Sequence, residues 1–184
     1  MRDFFPDQIT ADPSRWQIRP LLHADLDGLM QVQEACYGAN YMESLEVYRS
    51  RLACPAQCSL VAVQDDVVLG YLAAYRSTLG SVTPLHGEFA IHPQPDTLYL
   101  HDMAVDPTVA GLGLATALFA AMWKEARAWS PRFSALVSVQ GSQNYWRCKG
   151  YEPHTDLSSA NRENLRGYGN DADYMARPYG PAHT

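Results

Sequence analysis

No stretch of the 184-residue chain gathers the ~18 consecutive apolar residues that a membrane span needs. The opening residues, "MRDFFPDQITADPSRW", hold no apolar core of secretory-leader length. No membrane partner is therefore expected, and the cytoplasm is the expected compartment. Positive charge is also in short supply: 14 Lys and Arg against 20 Asp and Glu leave a net charge of −6. Without a basic surface, nucleic acid is not an expected partner, and the balance mildly favours cationic small molecules. Cysteines number only four, Cys36, Cys54, Cys58 and Cys148, which suits reduced thiols rather than a disulfide framework. Cys54 and Cys58 stand four apart, but no second Cys/His pair at ligand spacing joins them, so no metal is expected.

What the chain does contain is ordinary globular material, 47% apolar and 18% charged, enough for one domain over residues 1–184 with its core at about 16–178. "WQIR" (16–19) alternates as a short first strand. "DLDGLMQVQEACY" repeats its apolar residues at helical spacing, and Ser44 can cap a second helix carrying Leu45, Tyr48 and Leu52 on one face. "SLVAV" and "VVLGYLAAY", parted by Gln64-Asp65-Asp66, form an antiparallel hairpin. A Gly- and Pro-rich segment of twenty-one residues (77–97) reads as a lid or a mobile excursion. "LYLHDMAV" is a strand, the apolar run from Leu112 to about Trp129 a buried helix, and "RFSALVSV" another strand. "SQNYWRCK" is a short helix ended by Gly150; a polar loop (158–171) and a last edge strand in "ADYMARPY" complete the order. The fold class is α/β: a mixed, mostly antiparallel sheet with helices on both faces.

The informative stretch is "AVDPTVAGLGLATALF" (104–119), a strand end running into two glycines at the mouth of a helix. Such a turn leaves backbone N–H groups unpaired at the positive end of the helix dipole. Gly111 and Gly113 let the backbone approach an anion. Leu112, Leu114, Ala115 and Thr116 add N–H groups and Thr116 a hydroxyl, which together make a phosphate cradle. A kinase-type phosphate loop needs a Gly-Lys-Ser/Thr ending that is missing here. A dinucleotide fingerprint needs a third glycine, where Thr116 stands.

The stretch resembles the acyl-CoA-binding motif of the GNAT (Gcn5-related N-acetyltransferase) superfamily, Arg/Gln-x-x-Gly-x-Gly/Ala, read here as "AGLGLA" (110–115) after "MAVDP". The family's second mark, "FYEKLGF", is matched by "YWRCKGY" (145–151). The sequence departs from the pattern at Ala110, in place of Arg or Gln, and at Trp146, where many members carry a tyrosine acid.

The resemblance implies a GNAT-type fold and an N-acetyltransferase that moves the acetyl group of acetyl-CoA to a primary amine by direct attack. The alternative is a non-catalytic acyl-CoA sensor, or a different nucleotide binder. It places the pantetheine arm along the splayed strand end Met103, Ala104 and Val105, with residues 110–116 on the pyrophosphate and Trp146 against the arm. Arg147 and Lys149 are candidates for the 3′-phosphate, and Cys148 reads as structural.

An alkylammonium of pKa near ~10 must lose a proton before it attacks. His101 is the first candidate for base or water relay, with Tyr99 beside it as a site wall; Tyr145 is the phenol nearest the family's acid position. Strict alternation puts Tyr99, His101 and Met103 on one face of the strand, and Leu100, Asp102 and Ala104 on the other. Tyr37, Tyr41 and Glu43 would line the slot for a small-molecule or peptide amine, and Glu88 and Asp102 are further carboxylates for a cation. A homodimer is common in the family, and the last strand offers an edge for it.

Overall fold

A computed structural model of the chain describes residues 12–37 and 41–180. The leader reading on residues 1–11 and the middle of the first inter-helix connection lie outside that range. β1 (Gln17–Pro20) leads into α1 (Leu26–Cys36), whose buried Leu26, Leu29, Val32 and Gln33 follow the three-to-four spacing of one helix face. α2 (Leu45–Ala53) starts where Ser44 Oγ accepts from Val47 N–H at 3.4 Å. β2 (Leu60–Gln64) and β3 (Val67–Ser77) join through Asp65 and Asp66, at φ 51° and 66°. Positive φ at both turn residues matches the right-handed twist of the two strands.

β4 (Thr97–Val105), α3 (Leu114–Ala126), β5 (Phe133–Ser138) and α4 (Gln143–Cys148) follow, then β6 (Glu152–Pro153), α5 (Ser159–Arg166) and β7 (Asp173–Pro178). The seven strands form one sheet in the order β1-β2-β3-β4-β5-β7-β6. Only β4 and β5 run parallel, joined by the crossover through α3. α3 buries Leu118, Met122 and Trp123 on one face of the sheet, against Leu60, Leu72, Leu98 and Leu136. α1 and α2 cover the other face with Leu29, Val32 and Tyr48 against Val61, Val63 and Tyr71. Each such fully buried aliphatic contributes about 1.5–3 kcal/mol relative to exposure.

Three expectations are corrected. The polar segment after Ser158 is the helix α5, capped by Ser158 Oγ, and it escapes a periodicity reading because it buries no residue. The last strand is not an edge: β7 lies between β5 and the two-residue β6, so its register is filled on both sides over Met175 and Ala176. The long segment before β4 is packed down rather than an excursion. Val82 and Phe89 sit in a cluster with Tyr75, Tyr99, Tyr168 and Tyr174. Phe89 stacks on Tyr75 at 4.3 Å, and Tyr168 O–H donates to Thr83 O at 2.8 Å.

Candidate active site

Gly111 and Gly113 stand at φ +79° and +92°, in the left-handed region where an L side chain is strained. A Cβ added to either would meet nothing within 4 Å, so the turn faces open space. Gly113 is the N-cap of α3 and no side chain bonds the cap, so helix geometry leaves the amides of Leu114, Ala115 and Thr116 without intrahelical acceptors. Together with Val105 and Ala110 these residues border a recess of about 370 Å³. The donors, the room and the dipole direction all fit a diphosphate. Leu112 is 46% exposed beside it, and its amide, expected in the cradle, instead donates to Val109 O at 3.3 Å inside the turn.

Beyond this turn the sheet parts. β4 pairs with β5 only from Thr97 to Leu100, while its bond to β3 runs on to Val105. Asp106 N–H donates to Leu69 O at 2.9 Å, which fixes the antiparallel alternation: Ala104 spends its amide and carbonyl on β3, and Met103 and Val105 turn theirs toward the gap. Of the three edge residues expected to pair with a pantetheine arm, Ala104 is thereby committed elsewhere. The gap is a cleft of about 300 Å³ reached by Leu100, His101, Met103, Val137, Tyr145 and Trp146.

The strand alternation breaks inside the cleft. Ala73 faces Asp102 and Ala74 faces Leu100, which leaves His101 as the extra residue of a β-bulge. His101 and Asp102 therefore share one face with Tyr99, and Met103 moves to the α3 side, where it packs with Leu72 and Leu100. This overturns the strict alternation expected from sequence.

His101 Nε2 lies 3.0 Å from Glu43 Oε2, and its side chain is 3% exposed. Its Nδ1 is buried without a hydrogen-bond partner among the described residues. Glu43 is paired through both oxygens with Arg51, and Oε1 also accepts from His86 N–H at 3.0 Å. Burial would raise the Glu43 carboxyl, but the bonds from His101 and Arg51 outweigh it and hold it far below the usual range. Arg51 also donates to Gly87 O, so the packed-down segment is latched to the same group.

Asp102 is surrounded by phenols. Tyr37 O–H donates to Oδ1 at 2.6 Å, and Tyr48 and Tyr71 donate to Oδ2 at 2.9 and 2.5 Å. Burial first, and then the Asp102 charge, push the Tyr37 phenol far above its ordinary value, so it stays protonated. Tyr37, Tyr41, Glu43, His101 and Asp102 border a second, narrower recess of about 50 Å³ that adjoins the cleft. Tyr41 closes it by donating to Tyr168 O at 3.3 Å.

On α4, Tyr145 and Trp146 are neighbours in very different surroundings. Trp146 is 9% exposed, wedged edge-on against Tyr151 at 5.5 Å. Tyr145 is 42% exposed and borders both the cleft and the glycine-turn recess. Partial burial raises its phenol above the ordinary value. Lys149 Nζ lies 5.1 Å from the Tyr145 ring, and Arg147 bonds Asn144 on the same helix. Cys148 is exposed with a free thiol.

Tyr99 lies elsewhere: it is 1% exposed in the tyrosine cluster and borders neither the cleft nor the recess. Glu88 holds Ser50 Oγ at 2.5 Å, away from the cleft. Glu43 borders the narrower recess as expected and is the hub of a buried network. Arg51 went unseen in the sequence, although its i,i+3 spacing from Tyr48 puts it on a buried helix face, where a cation requires an acid.

A glycine turn thus opens a buried helix beside a sheet parted between its two parallel strands, in a single-domain α/β protein. The chain belongs to the Acetyltransferase (GNAT) family, whose model matches residues 26–151, and is an acyl-CoA-dependent N-acetyltransferase with acetyl-CoA as its co-substrate. No curated protein matches its sequence. Among solved structures, the ribosomal-protein-S18-alanine N-acetyltransferase from Escherichia coli superposes at TM-score 0.66 and 16% identity, covering 91% of this chain and 96% of that one. A GNAT family acetyltransferase from Brucella melitensis in complex with acetyl-CoA gives 0.57 and 21%, covering 92% and 91%. The GphF GNAT-like decarboxylase in complex with isobutyryl-CoA gives 0.67 and 18%, covering 89% and 100%. At these identities the likeness speaks for the fold. Among the described residues no helix is long and apolar enough to cross a membrane.

Proposed function

We propose that this enzyme moves the acetyl group of acetyl-CoA directly onto a primary amine of a small-molecule or peptide acceptor. The amine enters from the recess lined by Tyr37 and Tyr41. The observation that carries this reading is convergence: the unclaimed amides, the outward strand edge, a buried imidazole and a protonated phenol border three recesses that share lining residues, His101 between the first two and Tyr145 between the cleft and the glycine turn. Acetyl-CoA supplies an activated thioester carbonyl and a leaving thiolate.

The amides of Gly111, Gly113, Leu114, Ala115 and Thr116 hold the diphosphate, and Ala110 brings no polar side chain to that end of the turn. Met103 and Val105 offer outward backbone amides to the arm and the thioester oxygen, while their carbonyls already accept from Tyr37 O–H at 3.2 Å and Cys36 Sγ at 3.1 Å. Trp146 forms an apolar wall of the cleft. Asp102 puts negative charge beside the entering ammonium. His101 Nδ1, buried from the recess, takes the ammonium proton through an intervening water, and Tyr145 O–H returns a proton to the departing thiolate.

The test is thiol release from acetyl-CoA across a panel of primary amines, with a thermal-shift control for coenzyme binding. The expected result is release with at least one amine, lost in His101→Gln while the coenzyme still stabilises the fold. A coenzyme-stabilised protein that releases no thiol with any amine would overturn the reading.

A further inference from the structure

Glu43 lines the acceptor recess, yet its carboxylate has nothing left to offer an acceptor. A carboxylate has about four acceptor directions. Here four donors use them: Arg51 Nη1 and His101 Nε2 on Oε2, Arg51 Nη2 and His86 N–H on Oε1. Being held far below the usual carboxyl range, it is also a poor base. Its backbone is fixed as well, since Gln33 bonds Glu43 N–H and Glu43 O, each at 2.9 Å. A group so fully bound acts through what it binds.

We infer that Glu43, clamped by Arg51, is the positioning residue that fixes the tautomer of His101. An ionised carboxylate only accepts, so the imidazole nitrogen facing it must carry the proton. Nε2 is therefore the N–H and Nδ1 the lone pair. Nδ1 is the nitrogen that is buried and unpartnered among the described residues, so the ring is held with its basic atom free. Phe89, edge-on at 5.5 Å, and Tyr99, stacked at 6.3 Å, confine the ring and oppose its flipping. Arg51 keeps Glu43 ionised and aimed, and its bonds to Gly87 O tie that aim to the segment packed over the sheet. The arrangement follows the logic by which a buried carboxylate orients a catalytic imidazole, on different elements of a different fold.

This inference rests on His101 being the base, and the experiment separates the two. Nitrogen-15 NMR of the imidazole in the wild-type protein at neutral pH reads the tautomer without any variant. The expected spectrum has the proton on Nε2 and none on Nδ1. Glu43→Gln, whose amide can either donate or accept, should give mixed tautomers. Its kcat for thiol release should fall about tenfold or more, part of the ~10²–10⁴ a positioned general base contributes. KM for acetyl-CoA should stay within about twofold, because the coenzyme contacts lie on other elements, and Glu43→Asp should recover part of kcat. A wild-type ring protonated on Nδ1, or a Glu43→Gln protein that keeps both the Nε2–H tautomer and its kcat, overturns the inference. Should Glu43→Gln not fold, the wild-type spectrum decides alone. Full activity in His101→Gln with the Nε2–H tautomer intact in wild type overturns the base assignment instead.

Discussion

His101 and Asp102 are consecutive in β4, yet both side chains stand on the same face of the sheet, because the strand bulges where His101 has no partner on β3. The bulge sets a base candidate and a carboxylate side by side where two recesses share their lining. It also lets Asp102 collect three phenols that regular alternation would have put out of its reach.

Asp102 therefore organises structure as well as charge. Replacing it with Ala leaves the buried hydroxyls of Tyr48 and Tyr71 without their acceptor, at about 1–3 kcal/mol for each unsatisfied group. The unfolding free energy of Asp102→Ala, measured by denaturant titration, should fall by about 2–4 kcal/mol. Tyr37→Phe, which removes one partner of three, should cost about 1 kcal/mol. Equal stability of Asp102→Ala and wild type would show that the phenols find other acceptors.

Gly113 faces open space, so a substitution there is opposed by its backbone angle rather than by collision. Gly113→Val should lose about 1–2 kcal/mol to the left-handed conformation and remain folded. Its Cβ would stand in the recess over the amides. The stabilising thermal shift with coenzyme A should disappear, and an unchanged shift would place the diphosphate elsewhere.

Tyr145→Phe removes a proton donor and leaves the ring. The kcat for thiol release should drop by about 10²-fold, within the range of general acid catalysis, with little change in affinity for the coenzyme. The loss should shrink for an acyl donor whose leaving thiol is more acidic. A loss independent of the leaving group would make Tyr145 a packing element.

Arg19 grips Asp25 through two bonds of 2.7 Å, and Leu22 N–H adds a third at 2.8 Å. The Arg19 bonds outweigh burial and lower the Asp25 carboxyl below its ordinary 3.8. A depressed carboxyl stabilises the fold above the unfolded value and loses that contribution as pH falls through the folded one. Arg19→Met should therefore cost about 1–3 kcal/mol at pH 7 and progressively less below pH 3.8, read from unfolding free energies at both ends.

Much of this was legible in the residues. Helix spacing, the Ser44 cap and the Asp65-Asp66 turn gave the elements, and the glycines gave the open turn at the mouth of α3, because each is a local signal. The misses are non-local. A bulge depends on how β4 registers against β3, which nothing in "TLYLHDMAV" states. α5 lies on the surface with no apolar stripe to reveal it, and β7 is internal only because β6 pairs beyond it. Glu43 meets Arg51 across eight residues and His101 across fifty-eight, and only the second contact ties it to β4.

A crystal structure with acetyl-CoA tests the central claim most directly. The account predicts the diphosphate on the backbone amides of residues 111 and 113–116, the arm paired with Met103 and Val105, and the thioester carbon between His101 and Tyr145. Coenzyme bound away from that turn, with the opening between β4 and β5 still empty, would contradict it.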